Sequence, residues 1–231
     1  MPFLGTRPGQ GTTDGNFTAT QTVGTGAEED IMIKFDGNAV DYHIGLDDST
    51  DKLTIGKGST LGTTTSMSID ENGIILEPLI PLVGAIIDTS TISNVGTSLT
   101  ALPFDHALYD RNGDYDTSNY VFTCPIGGSY EFQLMMRMDN IDADATRIAI
   151  ETVVDFTRVD NTTTMPLWAG ADPDAYWFYS FLIEKCAAGD TIGPPKILQA
   201  GGTAQMDSTA DGTSGPFDHW LNIRYLGGPS E

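Results

Sequence analysis

The sequence predicts an all-β protein that ends in an antiparallel two-sheet sandwich, and three stretches predict it. Residues 112–132 read as turn, strand, Pro/Gly corner, strand. Asn112-Gly113 is a strong turn signal, and Pro125 ends the β-prone run Val121–Cys124 because proline cannot donate to a sheet ladder. Gly127 and Gly128 then permit the reversal, after which Tyr130, Phe132 and Leu134 alternate with Ser129, Glu131 and Gln133. The second stretch, AYWFYSFLIEKC at 175–186, is apolar on both alternating sides and reads as a strand covered on two faces. In the third, residues 31–76, five β-prone pieces of about four residues each are closed by Gly, Asp or Asn.

Taken in order, residues 1–30 are rich in Gly, Thr and Gln and hold too few apolar side chains to fold alone. They are expected to be an attachment arm, ordered by docking on other proteins. Residues 31–76 form a β-rich stem. Strands this short make a poor core for one copy, so the stem is expected to be intertwined, several copies pooling their apolar positions. Residues 77–100 contain Pro78 and Pro81 and then a Ser/Thr-rich run, and are expected to connect stem to head. From 101 to 231, expected strands at 102–108, 119–124, 129–138, 146–156, 165–168, 176–185, 191–199 and 218–226 suit a sandwich of about 130 residues.

Two resemblances sharpen this. DGNAVDYHIGLDDSTDKLTIGKGSTLGTTTSMSIDENG, at 36–73, resembles stem segments of tailed-phage fibre and virion structural proteins. Within 104–138, Phe104, Asn112, Gly113, Tyr115, Asp116, Phe122, Thr123, Pro125, Gly128, Tyr130 and Phe132 occupy positions similar to the signature of the C1q/TNF-like jelly roll. That family's later L-x-x-G-D appears as Cys186–Asp190 without its leucine, and His219 stands where the closing strand usually has glycine. The resemblance covers 101–231 and implies a homotrimer whose aromatic strands meet on a three-fold axis. Tyr130, Phe132, Trp177, Tyr179 and Phe181 are the expected trimer-interface residues.

The net charge of −21 is spread along the chain, with 13 acidic and 4 basic residues in 1–100 and 19 and 7 in 101–231. An acidic surface argues against binding a phosphate backbone, which needs Lys and Arg to replace counterions. No apolar run reaches membrane-spanning length, and the N-terminus lacks the basic and apolar regions of a signal peptide. No nucleic-acid partner and no membrane insertion are expected. Cys124 and Cys186 form no CxxC or metal motif, leaving two buried thiols or one disulfide.

His43, His106 and His219 fall in no catalytic or metal motif and are expected to be structural or at the surface. Asp110, Asn112, Asp114 and Asp116 place oxygens at alternate positions like a calcium loop, but lack the closing glutamate of an EF-hand. The expectation is therefore no metal and no cofactor, with this loop as the weak calcium candidate. Trp168, Asp172, Asp174, Tyr176 and Asp211 lie in or beside acidic loops suited to ligand binding at an exposed tip.

Together these point to a non-enzymatic phage virion protein, a trimeric fibre or capsid-decoration protein. Residues 1–30 would anchor it to other capsid or tail proteins, and the head would attach to a host cell-surface glycan or protein. The alternative is a tail spike enzyme that degrades host glycans, for which 231 residues leave little room.

Overall fold

The computed structural model describes residues 22–88, 92–154, 157–166, 175–202, 204–206 and 218–228. The chain divides into two compact units, Met1–Pro78 and Leu79–Glu231.

In the first unit β1 (Ile31–Phe35), β2 (Tyr42–Asp47), β3 (Lys52–Lys57), β4 (Thr65–Ile69) and β5 (Ile75–Leu76) form one antiparallel sheet in chain order. The strands expected to intertwine between copies instead pair with one another as a meander. Tight turns make this possible: the Asp70 carboxylate accepts the N–H groups of Asn72 and Ile74 between β4 and β5.

Register divides the sheet into two unlike faces. One face carries the cross-strand row Ile31, Leu46, Leu53, Ile69, Ile75. Beside it runs a second apolar row, Ile33, Ile44, Ile55, Met67. None of these side chains is buried; Ile33 is 50% exposed and Ile75 60%. The opposite face carries His43, Asp47, Thr54 and Ser68, all of them buried. Loop 58–64 covers it: the His43 Nδ1 lies 2.9 Å from the Gly58 carbonyl, and Gly62 sits against the Asp47 carboxylate. The polar side of this sheet is therefore enclosed and the apolar side open, the reverse of the usual arrangement for a sheet with one wet face.

The second unit is the expected sandwich. One sheet runs β9 (His106–Asp110), β6 (Leu82–Ile86), β19 (Trp220–Gly227), β12 (Gly128–Asp139), β15 (Ala175–Cys186). Short strands β7 (Ile92–Val95) and β18 (Ala204–Met206) extend it from the end of β12. The facing sheet runs β10 (Tyr115–Asp116), β11 (Val121–Thr123), β16 (Thr191–Ile192), β13 (Arg147–Val154), β14 (Thr157–Pro166). Past the cis Gly193-Pro194 bond, β17 (Lys196–Ala200) continues along β13 and pairs β8 (Thr100–Ala101).

The first and last long strands, β6 and β19, lie side by side, with β12 next to them. The chain crosses between sheets after β7, β8, β9, β11, β12, β14, β15 and β17. That order, two interlocked Greek keys in facing antiparallel sheets, is a jelly roll. The sequence signature supplies its centre. Phe104, Tyr115, Phe122 and Tyr130 are buried, the Tyr115 hydroxyl donates to the Phe104 carbonyl at 3.1 Å, and the Phe122 and Tyr130 rings meet edge to face at 5.5 Å.

The structure corrects the expected connector. Residues 82–86 are β6, a central strand of the head whose Val83 and Ala85 are fully buried. Their run Leu82–Ile87 is unbroken by polar residues, so it lacks the alternation that marks a half-buried strand. Expected strand 146–156 is β13, ending at Val154, and β14 returns from it as a hairpin.

Candidate assembly surface

The outward face of the β9–β6–β19–β12–β15 sheet is built by alternation. On β12, Tyr130, Phe132, Leu134, Met136 and Met138 point into the sandwich and are buried. On β15, register sets Phe178 and Ser180 on the same inner side and leaves Trp177, Tyr179, Phe181 and Ile183 outside. These four are 49, 52, 46 and 51% exposed. Tyr130 and Phe132, expected at the trimer interface, are therefore corrected to core residues: the facing sheet of the same chain already covers them. Trp177, Tyr179 and Phe181 do lie on the surface. The expectation that β15 is covered on both faces holds for the inner face only in a single chain.

Cross-strand neighbours continue the surface. Tyr179 pairs across β12 with Met135 and then Trp220, and the Tyr179 and Trp220 rings meet edge to face at 6.2 Å. Phe181 continues through Gln133 to Asn222 and Gly84. Tyr109 lies over Gly84, where a Cβ would collide with its ring, and its hydroxyl donates to the Asn222 side-chain oxygen at 2.6 Å. Alternation could have flagged Ile183 beside the predicted aromatics. Trp220 and Tyr109 join only through strand order, which local sequence does not contain.

The two arginines on this face are paired within the chain. The Arg224 Nε lies 2.7 Å from the Glu131 Oε1, and a second guanidinium nitrogen donates to the Glu131 Oε2 at 2.9 Å. This two-pronged pairing raises the pKa of Arg224. Arg137 contacts Asp139 at 2.7 Å and Asp218 at 3.2 Å. Its backbone N–H donates to the Nδ1 of the buried His219, which braces the end of β12 beyond its pairing with β19. The result is an aromatic strip flanked by ion pairs.

The calcium candidate resolves into turn chemistry. The Asp110 Oδ1 accepts the N–H groups of Gly113 and Asp114, and its Oδ2 that of Tyr115, each at 3.0 Å. Asp116 likewise accepts from Ser118 and Asn119. Asp110, Asn112, Asp114 and Asp116 thus shape the loops around β10. Among the described residues no group of three His, Cys, Asp or Glu is placed to hold a metal ion.

Of the predicted tip residues, Trp168, Asp172, Asp174 and Asp211 lie outside the described residues. Tyr176 is at the start of β15, 37% exposed, its ring 5.2 Å from that of Phe178. Cys124 and Cys186 are buried free thiols in mutual contact, and that contact with burial pushes the Cys124 pKa far up. His43 and His219 are buried and His106 is exposed.

No protein-family model and no curated protein matches this chain. Among solved structures, the chain is similar to murine APRIL at pH 8.5, with 12% identity and a TM-score of 0.38. It is similar also to murine APRIL at pH 5.0, with 13% identity and a TM-score of 0.38. Each likeness covers 64% of this chain and 99% of the other. The strand order described above identifies the C-terminal unit as a jelly roll.

Proposed function

We propose that this chain is a non-enzymatic structural protein of a phage virion, a homotrimeric fibre or decoration protein. Its N-terminal residues 1–30 anchor it to capsid or tail proteins, and its jelly-roll head is displayed outward for attachment to the host surface. The observation that carries the reading is the outward row of β15. Four large apolar side chains, each about half exposed, stand in line on a chain of net charge −21. At 150–250 Å² for a buried aromatic, their open area is about 400 Å², the scale at which an apolar patch marks a protein interface.

The flanking ion pairs support self-association, because arginines already held by carboxylates of the same chain reduce the charge that would repel another copy. The signature in 104–132 favours three copies, and the fibre-like stretch 36–73 favours a virion. Three heads on one particle would also multiply weak contacts to a host ligand through effective concentration.

The test is the double substitution Trp177→Ser with Tyr179→Ser. Both side chains point outward, so the head should keep its β-rich circular dichroism while the trimer of 24.7 kDa chains, followed by light scattering through dilution, dissociates at a higher concentration than the wild type. A double variant that dissociates at the wild-type concentration would refute the role of this face. Release of reducing sugar from host polysaccharide by the wild-type protein would refute the non-enzymatic reading.

A further inference from the structure

The N-terminal sheet is built the wrong way round for a single copy. Its polar face is closed by loop 58–64, and its apolar face, with Ile33, Ile44 and Ile55 along the middle row, is open. Every described strand of that unit already lies in the sheet, and of the other described residues Val23 and Gly24 reach this face beside Ile31, too few to form a second layer. We infer that this face is a second self-association surface, on which three copies of the sheet pack their apolar rows together as a three-sided β-prism. The inference rests on the trimeric reading of the head and adds a separate interface to it.

Two observations choose the occupant. The first is charge. The two apolar rows contain no ionisable group, and the third row, Phe35, Tyr42, Lys57, adds one cation, on a chain of net charge −21. Meeting through this face keeps the acidic groups of neighbouring copies outward, where solvent screens them.

The second is size. Five strands about 4.8 Å apart make a sheet about 19 Å wide. Three such sheets set as a triangle place the axis about 5.5 Å from each backbone, close to half of the ~10 Å between packed sheets. The Ile, Leu and Met side chains then fill the centre. Four sheets set as a square would leave it about 10 Å from each, and hollow. A trimeric head supplies the matching number of copies on one molecule, so the sheets meet at high effective concentration.

Cysteine cross-linking on the full-length chain tests this. Leu53→Cys lies on the open apolar face of β3, the middle strand and the one nearest the axis, and its neighbour Lys52→Cys lies on the other side of the same strand. Ile55→Cys, on the same strand and face, provides a second position should Leu53→Cys fold poorly. The native Cys124 and Cys186 are buried, and the wild-type chain gives the background.

Each variant is oxidised with copper phenanthroline and run without reductant, and its mass is measured by light scattering beforehand. Trimeric mass with most of Leu53→Cys or Ile55→Cys migrating as a covalent pair, and Lys52→Cys at background, is the expected result. Trimeric mass with the apolar-face variants no more cross-linked than Lys52→Cys would overturn the prism and leave the head trimer standing, as would cover by residues 1–21 or a foreign partner. Monomeric mass would overturn the head reading, and the prism with it.

Discussion

Single carboxylates in this chain do more to shape loops than to bind ions. Asp110 accepts three backbone N–H groups that the turn before β10 would otherwise leave to water, so the alternating Asp/Asn run encodes a turn. Its neighbour Asp114 is in a different position. Burial raises the Asp114 pKa above 3.8, and the charge of Asp110 adds to this against an opposing hydrogen bond from Asn112. The Asp114 Oδ2 is shut off from water with no partner. An acid whose folded pKa is raised opposes folding once ionised. That penalty is absent below the ordinary value of 3.8, grows as pH rises toward the folded value, and is full above it. Asp114→Asn is therefore expected to raise the urea midpoint at pH 7 and leave it unchanged near pH 3. An equal shift at both pH values would show that the effect is not electrostatic.

At the level of elements, alternation made β12 and β15 legible to within one residue at each end, and the turn residues made the hairpin around Pro125 legible. Alternation could not say which face of a strand looks inward. Tyr130 and Trp177 are both aromatic residues on adjacent strands, yet one is fully buried and the other half exposed, because the facing sheet lies on only one side. β6 was illegible for another reason: Leu82–Ile87 is apolar throughout, and its place between β19 and β9 depends on strands more than a hundred residues apart. The same strand contains the tightest packing on the outer face. A side chain at Gly84 would strike the Tyr109 ring, so Gly84→Val is expected to break the Tyr109–Asn222 hydrogen bond and cost about 1–3 kcal/mol. Chemical denaturation measures this; an unchanged midpoint would mean that Tyr109 is free to move aside.

At the level of the whole molecule, the two units share one property: each has a sheet face that is apolar and uncovered in a single chain. In the head it is the aromatic row of β15; in the N-terminal unit it is the Ile/Leu side of a five-stranded meander. The sequence suggested that residues 31–76 need other copies because their strands are short. The structure gives a different cause, since the strands do find partners within the chain and what they lack is a second layer.

The most direct measurement is the mass of the full-length protein by size-exclusion chromatography with light scattering, followed through dilution into the micromolar range. The account predicts a single species of three chains of 24.7 kDa each, unchanged by added salt because its contacts are apolar. A monodisperse monomer would contradict it, leaving both apolar faces exposed to water in a stable protein.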